Sequence, residues 1–225
     1  ATNGDYFNMG TGEPTGYLIM EGNVIKEANE PYFAILKDGT AVIRDAGTPT
    51  DDVMEAVSGT PYLLKNGEIQ ANVMADGNMM PRNSVGIRAD GSVVFFMAEG
   101  RLAPRSIGMD LYEVAAILKD AGCVTALYLD GGGSATFASR HEGSEYLEIQ
   151  NHPSDGPERV VASALLFVKT DKSTGKFDHA ALKPNNDLYV AGASVQFTAD
   201  GVDGNGYPAA LPANVSWALK DKSFG

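Results

Sequence analysis

Four turn signals punctuate the first hundred residues, and they constrain the fold more than any other feature of this chain. Glu21-Gly22-Asn23 divides Tyr17 to Lys26, Asp38-Gly39 divides Tyr32 to Arg44, Asn66-Gly67 divides Tyr62 to Gln70, and Asp90-Gly91 divides Ser84 to Met97. Each sits between strand-like runs. Glycine supplies the positive φ that a tight hairpin needs, so such pairs join antiparallel neighbours. The chain is therefore expected to be built largely from hairpins.

Helical patterning is scarce by comparison. Leu111, Val114, Ala115 and Leu118 fall at i, i+3, i+4 and i+7, Asp110 can cap with Glu113 three residues on, and Gly122 closes the segment, which predicts a helix over Leu111 to Ala121. A shorter helix is expected over Asp51 to Val57, capped by Thr50 and carrying two acids in its first turn. The apolar run Cys123 to Leu129 reads as a buried strand, Ala135 to Ser139 as strand-like, and Val160 to Val168 as a final long strand. The expected class is α+β: a mixed, mostly antiparallel sheet with packed helices. After Thr170 the composition changes. Asp171 to Lys176 reads as a polar linker, and Leu188 to Ala199 and Val215 to Leu219 as strands of an all-β unit with Trp217 at its core. Roughly fifty residues follow the linker, fewer than the roughly 80 to 100 of an immunoglobulin-like sandwich. Residues 1–170 are thus expected to form one domain and 171–225 a linker with part of an immunoglobulin-like module.

At 44% hydrophobic and 20% charged, 225 residues can bury a core. No run of about 18 apolar residues is present, so no membrane-spanning helix is expected. The start, Ala1-Thr2-Asn3, carries no signal-peptide pattern and reads as trimmed, which leaves the compartment open. Seventeen basic residues against twenty-nine acidic ones give −12, with twelve bases and twenty-three acids before residue 171. That sign disfavours nucleic acid as a partner but permits a small anion gripped by a few arginines, and all seven arginines precede residue 160. The single cysteine, Cys123, excludes an intrachain disulfide and a multi-cysteine zinc site, and its apolar run suits a structural thiol.

Asp130-Gly131-Gly132-Gly133-Ser134 follows the buried strand directly. Three consecutive glycines are tolerated where the backbone needs unusual dihedrals or where a ligand must come close, and exposed N–H groups there can cradle an anion. The segment is neither a Walker loop nor a dinucleotide fingerprint. Asn3-Gly4-Asp5-Tyr6-Phe7, Pro81 to Ile87 and Asn151 to Arg159 each read as turn or surface chemistry when taken alone. No G-x-S-x-G elbow is present, and three scattered histidines do not make a binuclear metal site. Asp200 to Gly206 reads as a plain turn, because it lacks the closing glutamate of a calcium loop.

In their order along the chain, Asn3 to Phe7, Arg82 to Ile87, Gly108-Met109-Asp110-Leu111, Leu129 to Ser134, and Pro153-Ser154-Asp155 with Glu158-Arg159 resemble the phosphodiester glycosidase family over roughly residues 1 to 169. The resemblance implies hydrolysis of a glycosyl-1-phosphodiester, an N-acetylglucosamine-like sugar attached through phosphate, at the anomeric C–O bond. It implies catalytic roles for Asp130, Arg82 and Asp155. Substrate or phosphate contacts are implied at Asn3, Gly131, Gly132, Ser134, Ser154, Arg159 and Arg101. Family chains usually have strands before the first motif, so an N-terminal part of the domain is expected to be missing. Two positions depart from the pattern: Asp5 stands where glycine is usual and Ser163 where asparagine is usual.

A phosphate monoester leaves readily, so cations on the phosphate matter more than a strong general acid. Arg82 and Arg159 are expected to supply bidentate donors. Asp130 is left as general base, nucleophile, oxocarbenium stabiliser or metal ligand. No cofactor is required by the sequence, a divalent cation has room, and the metal question stays open. The expected partner is a small-molecule or polysaccharide glycosyl phosphate, with no nucleic acid and no membrane span, and the expected setting is a bacterial protein, secreted or at the cell surface. The alternative is a non-catalytic glycan or phosphosugar binding module, which the two departures keep in view.

Overall fold

The computed structural model describes residues 1–184 and 192–219. They form two compact units, one from Ala1–Ala138 with Ile149–Phe167 and the other from Ser139–Glu148 with Val168–Gly225.

The first unit contains two five-stranded sheets. One runs in the order Asn23–Lys26, Leu18–Met20, Val53–Ser58, Tyr32–Leu36, Ala41–Arg44, and the other Val93–Ala98, Arg82–Arg88, Cys123–Tyr128, Tyr62–Lys65, Glu68–Ile69. Every pairing in both is antiparallel. All four expected hairpins are present. Two of them turn on residue pairs with positive φ throughout, Glu21-Gly22 and Asn66-Gly67, the geometry that matches the twist of the flanking strands.

The strand Cys123–Tyr128 lies at the centre of its sheet and is buried on both faces. Cys123, Ala126 and Tyr128 pack with Leu111, Val114, Ala115 and Leu118 of the helix Leu111–Asp120. Leu127 and the following Leu129 pack on the other side with Val85, Ile87, Phe33 and Val57, which joins the two sheets. This two-sided burial explains the unbroken apolar run. The helix starts at the expected capping box, with Asp110 Oδ1 accepting from the Glu113 N–H at 2.8 Å and Glu113 Oε2 accepting from the Asp110 N–H at 3.0 Å. Cys123 is buried, and burial pushes its thiol up, as suits a structural residue.

The expected α+β class with packed helices is overturned. The described chain is mostly β, with one α-helix of ten residues and two single 3₁₀ turns, Ala71–Val73 and Gly132–Ser134. Asp51 to Val57 is not a helix: Val53–Ser58 is an inner strand between Leu18–Met20 and Tyr32–Leu36. A seven-residue helix is marginal on its own, whereas Val53, Ala56 and Val57 gain two strand neighbours and a buried face. The long strand expected over Val160 to Val168 reduces to Ala164–Leu165, paired with Thr2–Asn3, and Val160, Leu166, Phe167 and Val168 are exposed. Ala135 to Ser139 is strand only at Ala138–Ser139.

In the second unit, Phe177–Lys183, Thr198–Asp203 and Pro208–Ala209 form a three-stranded antiparallel sheet. The turn expected over Asp200 to Gly206 is confined to 204–206, because Asp200 to Asp203 belong to the strand Thr198–Asp203; the buried Asp203 braces the turn by accepting from the N–H groups of Thr174, Asn205 and Tyr207. Val215 to Leu219 forms no strand, and Trp217 is 57% exposed rather than a core anchor. The strand expected over Leu188 to Ala199 lies partly outside the described residues, with only Thr198 and Ala199 in a strand. No helix among the described residues is long and apolar enough to cross a membrane.

Leu127→Ala, which empties the layer between the sheets, is expected to destabilise the first unit by about 2–5 kcal/mol. Asp110→Ala, which removes the cap, should cost about 1 kcal/mol. Urea unfolding of both variants checks the order.

Candidate active site

The central strand delivers Asp130 to the end of the sheet, and each glycine after it solves a separate packing problem. A Cβ at Gly131 would overlap the Tyr128 hydroxyl and lie 2.6 Å from the Pro81 carbonyl oxygen. Gly132 has φ +58° and lies against the Arg101 guanidinium. A Cβ at Gly133 would overlap Arg159 Nη2 and the Asp155 carboxylate. Three glycines in a row thus let three groups converge on one turn. The anion cradle is narrower than the sequence suggests, since the N–H groups of Gly132, Ser134 and Ala135 bond to the carbonyls of Pro81, Gly131 and Gly132.

Asp130 is held from behind. Its N–H donates to Gly4 O at 3.0 Å, and its carbonyl accepts from Asn3 Nδ2 at 2.6 Å. The oxygen of the same Asn3 amide accepts from Thr136 N–H and from Asn83 Nδ2, both at 3.1 Å. Asn83 Nδ2 also donates to Asn3 O at 2.8 Å, and Asn83 Oδ1 accepts from Thr2 Oγ1 at 3.0 Å. Asn3 and Asn83 are both buried, and through this network Asn3 positions the turn. Burial raises Asp130 above the usual carboxylate range, with the Ser134 hydroxyl and the Arg159 charge pulling the other way.

The three cations differ in what already occupies them. Arg159 pairs with Asp155 and donates from Nη1 to Ser134 Oγ at 3.2 Å, which sets it beside the turn. Arg82 is buried over the Tyr128 ring, with donors committed to Asp76 Oδ2 and Asn78 O, both at 2.5 Å, and to Met109 O at 2.8 Å. Arg101 holds a positive φ of 58°, a conformation worth about 1–3 kcal/mol of strain in a non-glycine residue. Among the described residues no hydrogen bond or ion pair engages its guanidinium. Glu99 ties its loop to the next one: Oε2 accepts from Arg105 Nε, and Oε1 accepts from the N–H of His152, the second residue before Ser154.

The structure therefore gathers Asn3, Asp130, Gly131, Gly132, Ser134, Asp155, Arg159 and Arg101 around one turn, whereas the Arg82 guanidinium faces Asp76. The Ser154 hydroxyl is buried without a hydrogen-bond partner among the described residues. A cleft of about 150 Å³ lined by Thr2, Asn3, Thr136, Arg159, Val161 and Ala164, with Ala1 and Ala138, adjoins the cluster. Asp76 and Tyr128 are contributors that sequence reasoning missed, and Asn83, Gly133 and Asn151 lie inside the motifs it singled out without being given a role. Asn151 binds Phe137 N–H and Ala135 O through its amide. The available signal was the polar run Arg82-Asn83-Ser84 heading a buried strand. Asp5, a departure from the family pattern, is 4% exposed, and its carboxyl oxygens have no side-chain partner among the described residues. Among the described residues no cluster of three or more His, Cys, Asp and Glu side chains is placed to hold a metal ion.

A family model described as phosphodiester glycosidase matches residues 1–168. The chain belongs to the phosphodiester glycosidase family. It is 31% identical over 161 residues to the Mus musculus N-acetylglucosamine-1-phosphodiester alpha-N-acetylglucosaminidase, across 61% of this chain and 31% of that relative. It is 38% identical over 117 residues to the SPbeta prophage-derived uncharacterized protein YomE of Bacillus subtilis (strain 168), across 50% of this chain and 17% of that one. The catalytic domain of zebrafish N-acetylglucosamine-1-phosphodiester alpha-N-acetylglucosaminidase, solved in a form auto-inhibited by its pro-peptide, superposes with a TM-score of 0.56 at 28% identity, over 68% of this chain and 55% of that one. The chain spans about a third of the length of the mammalian relatives it matches.

Within this glycosidase-family domain, Asn3→Ala and Asn83→Ala should each cost about 1–3 kcal/mol, because each leaves buried groups unpaired. The double variant should cost less than their sum, since both disrupt one network. A double-mutant cycle by urea unfolding measures the coupling.

Proposed function

We propose that this chain hydrolyses a glycosyl phosphodiester, cleaving the bond between the anomeric carbon of an N-acetylglucosamine-like sugar and the phosphate oxygen. The observation that carries the reading is a buried carboxyl, Asp130, on a turn flanked by the Arg101 and Arg159 guanidiniums. Family membership sets the reaction class, and the sugar follows the names of the mouse and zebrafish relatives.

In this reading the phosphodiester lies against Arg101, whose donors have no other partner among the described residues, with Arg159 and the Ser154 hydroxyl alongside. Positive charge there stabilises the phosphate monoester as it departs with the electron pair of the broken C–O bond. Water attacks the anomeric carbon, Asp130 takes its proton, and the carboxylate faces the developing oxocarbenium charge. Arg82 works from behind the turn: it fixes Tyr128, whose hydroxyl lies against Gly131, and it engages Asp76. Asp155 holds Arg159 in place. The acidic balance with a β-rich second unit supports a secreted or cell-surface setting.

Incubation with a panel of N-acetylglucosamine phosphodiesters in ¹⁸O-water, followed by mass spectrometry, tests the reading. Free sugar should appear with an unlabelled phosphate monoester. Asp130→Asn should lower kcat by at least about 100-fold, and Arg101→Ala should raise KM more than Arg82→Ala does. Label in the phosphate would show P–O cleavage instead. Phosphosugar binding without turnover would favour the binding-module alternative. Because burial raises Asp130 and the base must be ionised, the acid limb of the rate should lie above the ordinary aspartate value of about 3.9.

A further inference from the structure

We propose that Asp5 is a positioning residue that acts through Asp130: it sits beside the turn as a neutral carboxylic acid, leaves the two carboxyls one negative charge between them, and disables the site when it ionises. The proposal rests on the hydrolytic reading above.

Placement supports it first. The carbonyl of Gly4 accepts the Asp130 N–H at 3.0 Å, and Asp5 follows by one peptide. Gly4 is fixed on its other side, since its N–H donates to Ser163 O at 2.9 Å. The Asp5 carboxyl fits against Gly16, where any Cβ would overlap both Asp5 Oδ2 and the Ser58 side chain. The Ser58 hydroxyl oxygen already accepts from Tyr17 N–H at 2.6 Å. Both Asp5 oxygens are sealed from solvent with no side-chain hydrogen-bond partner among the described residues, and only the neighbouring Tyr6 and Gly16 backbones favour the ionised form.

Charge supports it independently. The charged groups acting on Asp5 are Glu30 and Asp130, both acids, and its neighbour Tyr6 stacks near Tyr128 rather than offering a cation. Burial pushes Asp5 up to about 7, with those two acids adding to the effect and the Tyr6 and Gly16 backbones opposing it. Two interacting carboxyls titrate as a pair. A second anion beside Asp130 would repel a phosphodiester and disfavour the ionised base, whereas a protonated Asp5 does neither.

The test is the pH profile of sugar release by the unaltered chain, Asp5→Asn and Asp5→Gly, each normalised to its rate at pH 6, beside thermal unfolding from pH 4 to 8. In the unaltered chain the rate should fall about tenfold per pH unit above about 7, and both neutral variants should lose that fall. Persistence of the same alkaline limb in both variants would overturn the proposal. The unfolding arm separates this from failure of the hydrolytic reading. A carboxyl raised in the folded state stabilises fully below its unfolded value and loses that contribution as pH rises through its folded value. The melting temperature of the unaltered chain should therefore drop more steeply toward pH 7 than that of Asp5→Asn. If no sugar is released but this difference appears, the hydrolytic reading fails while the neutral Asp5 stands. If the two melting profiles run parallel, the Asp5 proposal fails whatever the activity.

Discussion

The site depends on one side-chain amide near the start of the chain. Asn3 donates to the carbonyl of Asp130, 127 residues away, and its own oxygen ties in Asn83 and Thr136. These bonds join the first strand, the strand Arg82–Arg88 and the glycine turn in a buried network, where each unpaired group would carry the full desolvation penalty. The aim of the Asp130 carboxyl is therefore set by long-range contacts rather than by the turn itself.

Around that fixed point the charges are arranged unequally. Arg82 and Arg159 are engaged by carboxylates, so their positions are set before any ligand arrives, while Arg101 is held on a strained backbone with its guanidinium unengaged among the described residues. Preorganised cations with one open position suit the capture of an anion, because little reorganisation is left for the moment of reaction. Glu99 links the Arg101 loop to the 151–159 loop, so the two arms beside the turn share one support.

Much of this was legible beforehand, for definite reasons. Hairpins show in a sequence because their turns are local, and the helix Leu111–Asp120 shows because its cap and stripe lie within eleven residues. The cluster of Asp130 with Asn3, Arg159 and Arg101 was reached through the order of family motifs, not through any spacing. The weak segments were those whose state depends on distant neighbours. Val53–Ser58 carries acids that suit a helix start, yet two flanking strands make it an inner strand. Val160 to Val168 is apolar throughout, yet strand pairing reaches only Ala164–Leu165.

The sequence by itself determined an antiparallel β scaffold, one capped helix, a carboxylate at the end of a buried strand and the family to which these belong. All of these are written in local turn chemistry, periodicity and motif order. Only the tertiary structure decided that, among the described residues, Arg101 rather than Arg82 presents an unengaged guanidinium, that Asn83 supports Asn3, and that Asp5 is sealed without a side-chain partner. Those outcomes depend on which groups meet in space, whether close in the chain as Arg82 and Asp76 or distant as Asn83 and Asn3, and on how much water burial removes, and neither quantity is a property of the residues taken in order.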